Sequence, residues 1–181
     1  MERMTIDECR SFLRSPVRTG KVATVRKDGR PHVVPVWFDL EGETLVFMIE
    51  EGSTKGRNLR RDPRVCLCVD DETTPFAYVQ VEGTVVMSAD ADQVLYWATR
   101  IGGRYMGQEL AETYGKINSY AGVRIVRLTP TNMHGYKDVT GRYPQPAQRQ
   151  DSSSSAPKKR RPKGHGSTES AATRPTVGRR G

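Results

Sequence analysis

The spacing of apolar residues changes twice along this chain, and each change marks a set of elements. Thr5 with Glu8 fits a capping box, and Ile6, Cys9, Phe12 and Leu13 follow at helical spacing. Pro16 ends that helix. From Lys21 the period falls to two. Lys21–Lys27 alternates, Asp28-Gly29 is a strong hairpin turn, and His32–Phe38 pairs back. Glu41-Gly42-Glu43 turns the chain into a third strand, Thr44–Glu50. Val65–Val69 is a fourth strand, Phe76–Met87 a long fifth or a bent pair, and Val123–Leu128 a sixth. Helical spacing returns after Asp90, which caps a helix over Ala91–Ile101 closed by Gly102-Gly103. Gln108–Ile117 is expected to be another helix.

Six consecutive antiparallel strands with few long crossovers predict a mainly β fold, a barrel or meander with flanking helices. No GxGxxG follows the first strand, which argues against a dinucleotide-binding fold. No internal repeat is present.

Composition divides the chain into a domain, 1–143, and a tail, 144–181. In the tail apolar residues nearly vanish, Ser152–Ser155 is a serine run, and Lys158–Lys163 reads KKRRPK. Such a segment buries too little apolar surface to offset ordering entropy, so disorder is expected. The net charge of +8 separates along the same boundary. Nine bases against two acids give the tail +7, and 20 bases against 19 acids leave the domain at +1. A nearly neutral domain gives no reason to expect a broad nucleic-acid face, so nucleic acid is expected only through the basic tail. No run approaches the roughly 20 apolar residues of a membrane helix. Met1–Arg14 lacks the apolar core of a secretory signal. Three cysteines, Cys9, Cys66 and Cys68, make no disulfide framework, so a cytoplasmic protein with reduced thiols is expected.

The segment richest in chemistry is Ser53–Val65, STKGRNLRRDPRV. Ser53 or Thr54 can cap a short helix that Pro63 ends. Lys55, Arg57, Arg60, Arg61 and Arg64 place five cations within ten positions. Lys55, Asn58 and Leu59 fall on one helical face. Free N–H groups, hydroxyls and a lysine at a helix start suit a phosphate. On pattern alone, a solvated basic helix explains the run equally well.

Here the chain resembles a known family. Thr24–Phe38, with its TxxxDGRPHVxPVWF pattern, and Lys55–Val65, KxRNLRRDPRV, are similar to the split β-barrel oxidoreductases of the pyridoxamine 5′-phosphate oxidase-like superfamily. The resemblance is to the branch that uses coenzyme F420, a deazaflavin. VEGTVVMSAD (Val81–Asp90) and RYMG (Arg104–Gly107) fit it as well, and it covers roughly residues 5–137. It implies a six-stranded antiparallel split β-barrel, homodimeric, with cofactor sites between subunits. Lys55 would hold the cofactor phosphate, with Ser53, Thr54 and Asn58 around it, and Arg57 would reach phosphate or the acidic tail. Pro35, Val36, Trp37, Met48 and Ile49 would line the ring. The partner subunit would add residues near Arg104 and Tyr105. The implied function is hydride transfer from reduced F420 to an electron-poor small-molecule substrate, with no obligatory catalytic side chain. An FMN-dependent oxidase or reductase is the alternative enzyme. A non-catalytic deazaflavin-, flavin- or haem-binding protein is the alternative outside catalysis.

Other residues receive plainer readings. His32 and His134 are expected to be surface or satisfied histidines more than catalytic acids. Neither has the acidic or thiol company of a metal site, so no metal is expected. Cys66 and Cys68 share a strand face and are expected to be small buried hydrophobes more than a redox pair. Trp97 is assigned to helix packing. The Arg124–Arg127 alternation is assigned to the outer face of the last strand.

Overall fold

The structure, a computed structural model, describes residues Met1–Gly141. The expected tail, 144–181, lies outside the described residues. The chain runs β1 (Glu2–Arg3), α1 (Ile6–Arg14), β2 (Gly20–Val25), β3 (Pro31–Val36), β4 (Phe38–Glu41), β5 (Thr44–Glu50), α2 (Thr54–Arg61), β6 (Arg64–Asp71) and β7 (Ala77–Ser88). It continues through α3 (Ala91–Met106), a 3₁₀ turn, α4 (Ala111–Asn118) and β8 (Val123–Lys137). Local chemistry sets the helix starts. Thr5 and Glu8 form the capping box reciprocally, and Ser53 and Asp90 cap α2 and α3 through their side chains.

The strands join one antiparallel sheet in the order β3-β2-β6-β7-β8-β5-β4, with β1 on the end of β8. β3 and β4 are at opposite ends of this order, yet Trp37 alone separates them in sequence. Consecutive Cα atoms are about 3.8 Å apart, so the sheet curls until its two edges meet at Trp37. The edges form no ladder with each other, which leaves the barrel split along that seam. The single strand expected over His32–Phe38 therefore breaks at Trp37, because its two halves pair with different partners, β2 and β5. The last strand is longer than expected, since β7 pairs along it as far as Tyr136.

The core forms two clusters on the two faces of β5. Leu45, Phe47 and Ile49 point into the barrel, against Phe38, Leu67 and, from α1, Leu13. Val46 meets Val94, Trp97 and Ile101 of α3 on the other face. Trp97 is thus helix packing, as its spacing implies. Burial on both faces explains the unbroken apolar run of this strand. Asp39 fixes α3 to the barrel: its carboxylate receives Arg100 Nε at 2.6 Å and Arg104 Nη1 at 3.4 Å. Arg104 also donates to the Leu13 carbonyl at 2.9 Å, which brings α1 into the same network.

Cys66 and Cys68 depart from expectation. Val65, Leu67 and Val69 take the core face of β6, so the two cysteines sit half-buried on the outer face. Strand parity allows only one of the two sets inside, and the larger side chains occupy it. Burial raises both thiol pKa values.

Candidate functional site: two concavities around one helix

Helix α2 leaves the end of β5 through Glu51-Gly52 and rests closely on it. A Cβ on Gly56 would fall 2.4 Å from the Glu51 carbonyl oxygen and 2.6 Å from that of Glu50, so only glycine fits. Ser53 is spent on the turn. Its hydroxyl accepts the Gly56 N–H at 3.2 Å and donates to the Glu50 carbonyl at 2.6 Å. The helix is thereby wedged between two concavities of different chemistry.

The first is a cavity of about 470 Å³ with aromatic and apolar walls. Trp37 comes from the seam, Met48 and Ile49 from β5, Ile101 from α3, and Tyr114 from α4. Trp37 lies flat on Tyr105, with ring centroids 4.8 Å apart and planes 5° apart. Tyr105 is fixed in turn: its hydroxyl donates to the Arg18 carbonyl at 2.7 Å and accepts the Phe38 N–H at 3.2 Å. Burial holds the Tyr105 phenol above its usual pKa, so it stays protonated. Glu50, Lys55, Asn118 and Tyr120 bring polar groups to the lining. Lys55 is half-buried and forms no hydrogen bond or ion pair among the described residues. Glu50 is held by the Tyr120 hydroxyl, and the neighbouring Glu51 by Arg60 and Arg124.

The second is an open cleft of about 700 Å³ between α2 and the β2–β3 turn. Its cations are Arg26, Lys27, Arg30, Arg57 and Arg61, and Asp28 is its single carboxylate among the described residues. Arg30 pairs with Asp28 at 2.7 Å. Arg57 donates to the Gly52 carbonyl and the Thr54 hydroxyl, and Arg61 to the Val25 carbonyl, contacts that leave both charges uncompensated. Arg26 and Lys27 form no side-chain hydrogen bond or ion pair among the described residues. Asn58 closes the floor, 4 % exposed, with its amide donating to Thr24 Oγ1 at 3.0 Å. His32 adjoins that hydroxyl, Nδ1 lying 3.5 Å from it. Burial first, then Arg26 and Lys55, lower the pKa of His32 below its ordinary value.

The structure distributes the residues singled out from sequence. Trp37, Met48, Ile49 and Lys55 gather at the aromatic cavity, and Thr54, Arg57 and Asn58 at the cationic cleft. Ser53 caps α2 between them. Pro35 is exposed on edge strand β3, and Val36 is buried in the barrel core. Lys55 and Asn58 do not share a concavity, because the helix presents its Lys55 side to one and its Asn58 side to the other. Tyr105 stacks on Trp37 within one chain, and Arg104 serves Asp39 and Leu13. Sequence reasoning missed Tyr114, Asn118 and Tyr120, which reach the cavity only through the packing of α3 on α4. It also passed over Arg26, Lys27 and Arg30, read as a turn although three cations in five positions were a signal. Among the described residues no three His, Cys, Asp or Glu side chains gather in a way that could hold a metal ion. Among them, too, no helix is long and apolar enough to cross a membrane.

A mainly antiparallel, split barrel with helices beside the seam defines a fold class shared by oxidoreductases that work through bound cofactors. The chain belongs to the pyridoxamine 5′-phosphate oxidase family, whose sequence profile matches residues 5–136. A pyridoxine/pyridoxamine 5′-phosphate oxidase of Myxococcus xanthus is 36 % identical over 87 residues, which cover 48 % of this chain and 42 % of that enzyme. The match thus spans under half of the curated relative. A solved structure described as an F420 reductase is 30 % identical, covering 68 % of this chain and 94 % of its own, with a TM-score of 0.56. A conserved hypothetical protein of Mycobacterium tuberculosis shares the fold with a TM-score of 0.67 at 24 % identity, covering 80 % of this chain and 91 % of its own.

Proposed function

We propose that this protein is a coenzyme F420-dependent oxidoreductase that reduces an electron-poor small molecule. The observation that carries this reading is the division of labour across α2. Uncompensated cations lie on one side, an aromatic wall on the other, and Lys55, unpaired among the described residues, borders the aromatic cavity. A cofactor with a flat ring and a long anionic chain matches that division. When bound, reduced F420 supplies a hydride from carbon, chemistry that no side chain here possesses. The chain's own part is to hold and to shield. Lys55 meets the phosphate, Arg57 and the β2–β3 turn receive the anionic chain, and the Trp37–Tyr105 stack gives the ring a rigid surface. Thr54 and Asn58 complete the cradle. No side chain is assigned a catalytic role.

The protein acts as a homodimer in this reading. On the outer sheet face Val25 and Val33 are 45 % and 57 % exposed, beside Ala23 and the two half-buried cysteines. A second copy covering that face removes the apolar surface from water. The three free cysteines suit a reducing, cytoplasmic setting. Titration with F420, followed by the cofactor's fluorescence, tests the assignment. Binding in the micromolar range supports it. No F420 binding, with tight FMN binding in its place, overturns it in favour of a flavin enzyme.

A further inference from the structure

Thr24 is 3 % exposed, and its hydroxyl has one proton to give and two lone pairs. The Asn58 amide takes one lone pair at 3.0 Å. Two acceptors then stand at equal distance from the hydroxyl, His32 Nδ1 and the His32 carbonyl, each at 3.5 Å. If the hydroxyl proton points to Nδ1, the ring is neutral and its own proton is on Nε2. If the hydroxyl turns to the carbonyl, its second lone pair faces Nδ1 and can accept a proton from a charged ring. Both protonation states of His32 are therefore satisfied by one bond rotation, with the Asn58 bond kept.

The surroundings give that rotation a trigger. β3 is an edge strand, so β2 alone pairs with it. The charged groups that act on His32 are Arg26 of the β2–β3 turn and Lys55 of α2, both positive. Thr24 from β2 and Asn58 from α2 are its neutral neighbours. Burial is the first cause of its lowered pKa and these cations add to it. An anion bound in the cleft at Arg26 offsets that added repulsion and attracts the charged form of the ring.

We infer that His32 is a further member of the anion site, and that an anion bound in the cleft beside Arg26 brings one proton from solvent onto Nδ1. The inference rests on the cofactor reading above only in naming F420 as the natural anion. The sign follows from linkage. Affinity is greatest below the pKa of His32 in the free protein, and falls as pH rises through its pKa in the complex.

The test is an NMR pH titration of the histidines of the full chain, free, with inorganic sulfate, and with F420. Sulfate keeps its charge across this range, and His134 serves as the reference. The expected result is a rise of about one unit in the pKa of His32 alone, equivalent to a roughly tenfold loss of sulfate affinity from low to high pH. His32→Gln removes the pH dependence, Thr24→Val weakens the linkage, and Thr24→Ser restores it. A shift with sulfate, where F420 does not bind at all, supports His32 and removes F420 as the ligand. F420 binding that leaves the His32 titration unmoved overturns the role of His32. No shift with either anion also overturns it.

Discussion

The two concavities beside α2 are built on different principles. The aromatic cavity is shaped by packing. Its walls come from β5, α3, α4 and the seam, and its ring stack is pinned by Arg18 and Phe38 backbone groups. The cationic cleft is shaped by charge. It lies between a tight turn and one face of a short helix, and Arg57 and Arg61 are anchored on carbonyls that do not neutralise them. Packing fixes a shape whatever the salt concentration. Charge reaches further, but is screened beyond about 10 Å at 0.1 M salt. A ligand that spans both acquires orientation from one and encounter rate from the other.

The largest effect should come from breaking the packed side. A Cβ on Gly102 would stand 2.6 Å from Tyr114 Cβ. Gly102→Val should therefore separate α3 from α4, at a cost of about 1–3 kcal/mol. Calorimetry should show a Tm lower by several degrees, and F420 binding should be lost while sulfate still binds the cleft. Next comes the residue between the two. Lys55→Ala should weaken F420 binding about ten- to hundredfold, the range for a charged hydrogen bond, with Tm unchanged because Lys55 has no partner to lose among the described residues. Equal affinity in the variant would return α2 to a solvated surface. Trp37→Ala removes the ring stack and should cost about 1 kcal/mol of ring binding, roughly fivefold, in the same fluorescence titration. The smallest effect belongs to the charged side. Arg26→Ala should lower affinity a few-fold in low salt and very little at 0.5 M, whereas the Trp37→Ala deficit should persist at both.

The contrast also decides what was legible in the sequence. Features with local causes were readable: the Thr5–Glu8 capping box, the Asp28-Gly29 turn, the Ser53 cap, and the cations of α2. Features set by long-range pairing were not. Nothing in His32–Phe38 announces that Val36 and Phe38 belong to opposite edges of the sheet, because both halves carry the same apolar alternation. Helical spacing placed Lys55 and Asn58 on one face, correctly in angle. Only the position of β2 and β5 around the helix decides that the two side chains meet different concavities. The aromatic lining from α4 and the turn after it was beyond reach for the same reason, since Tyr114 and Tyr120 carry no periodic signal that distinguishes them from surface tyrosines. Cys66 and Cys68 were misplaced because alternation shows which residues share a face, but not which face is inside.

The seam at Trp37 has a use of its own. Where a ladder would normally shelter the Phe38 amide, a phenol hydroxyl takes that place. That amide proton is thus a gauge of whether Tyr105 is home. Its exchange with deuterium should quicken whenever the aromatic stack lifts, and slow when a ligand presses the rings together. One backbone position would then report the opening and closing of the barrel's unstitched side, with no label attached to the protein.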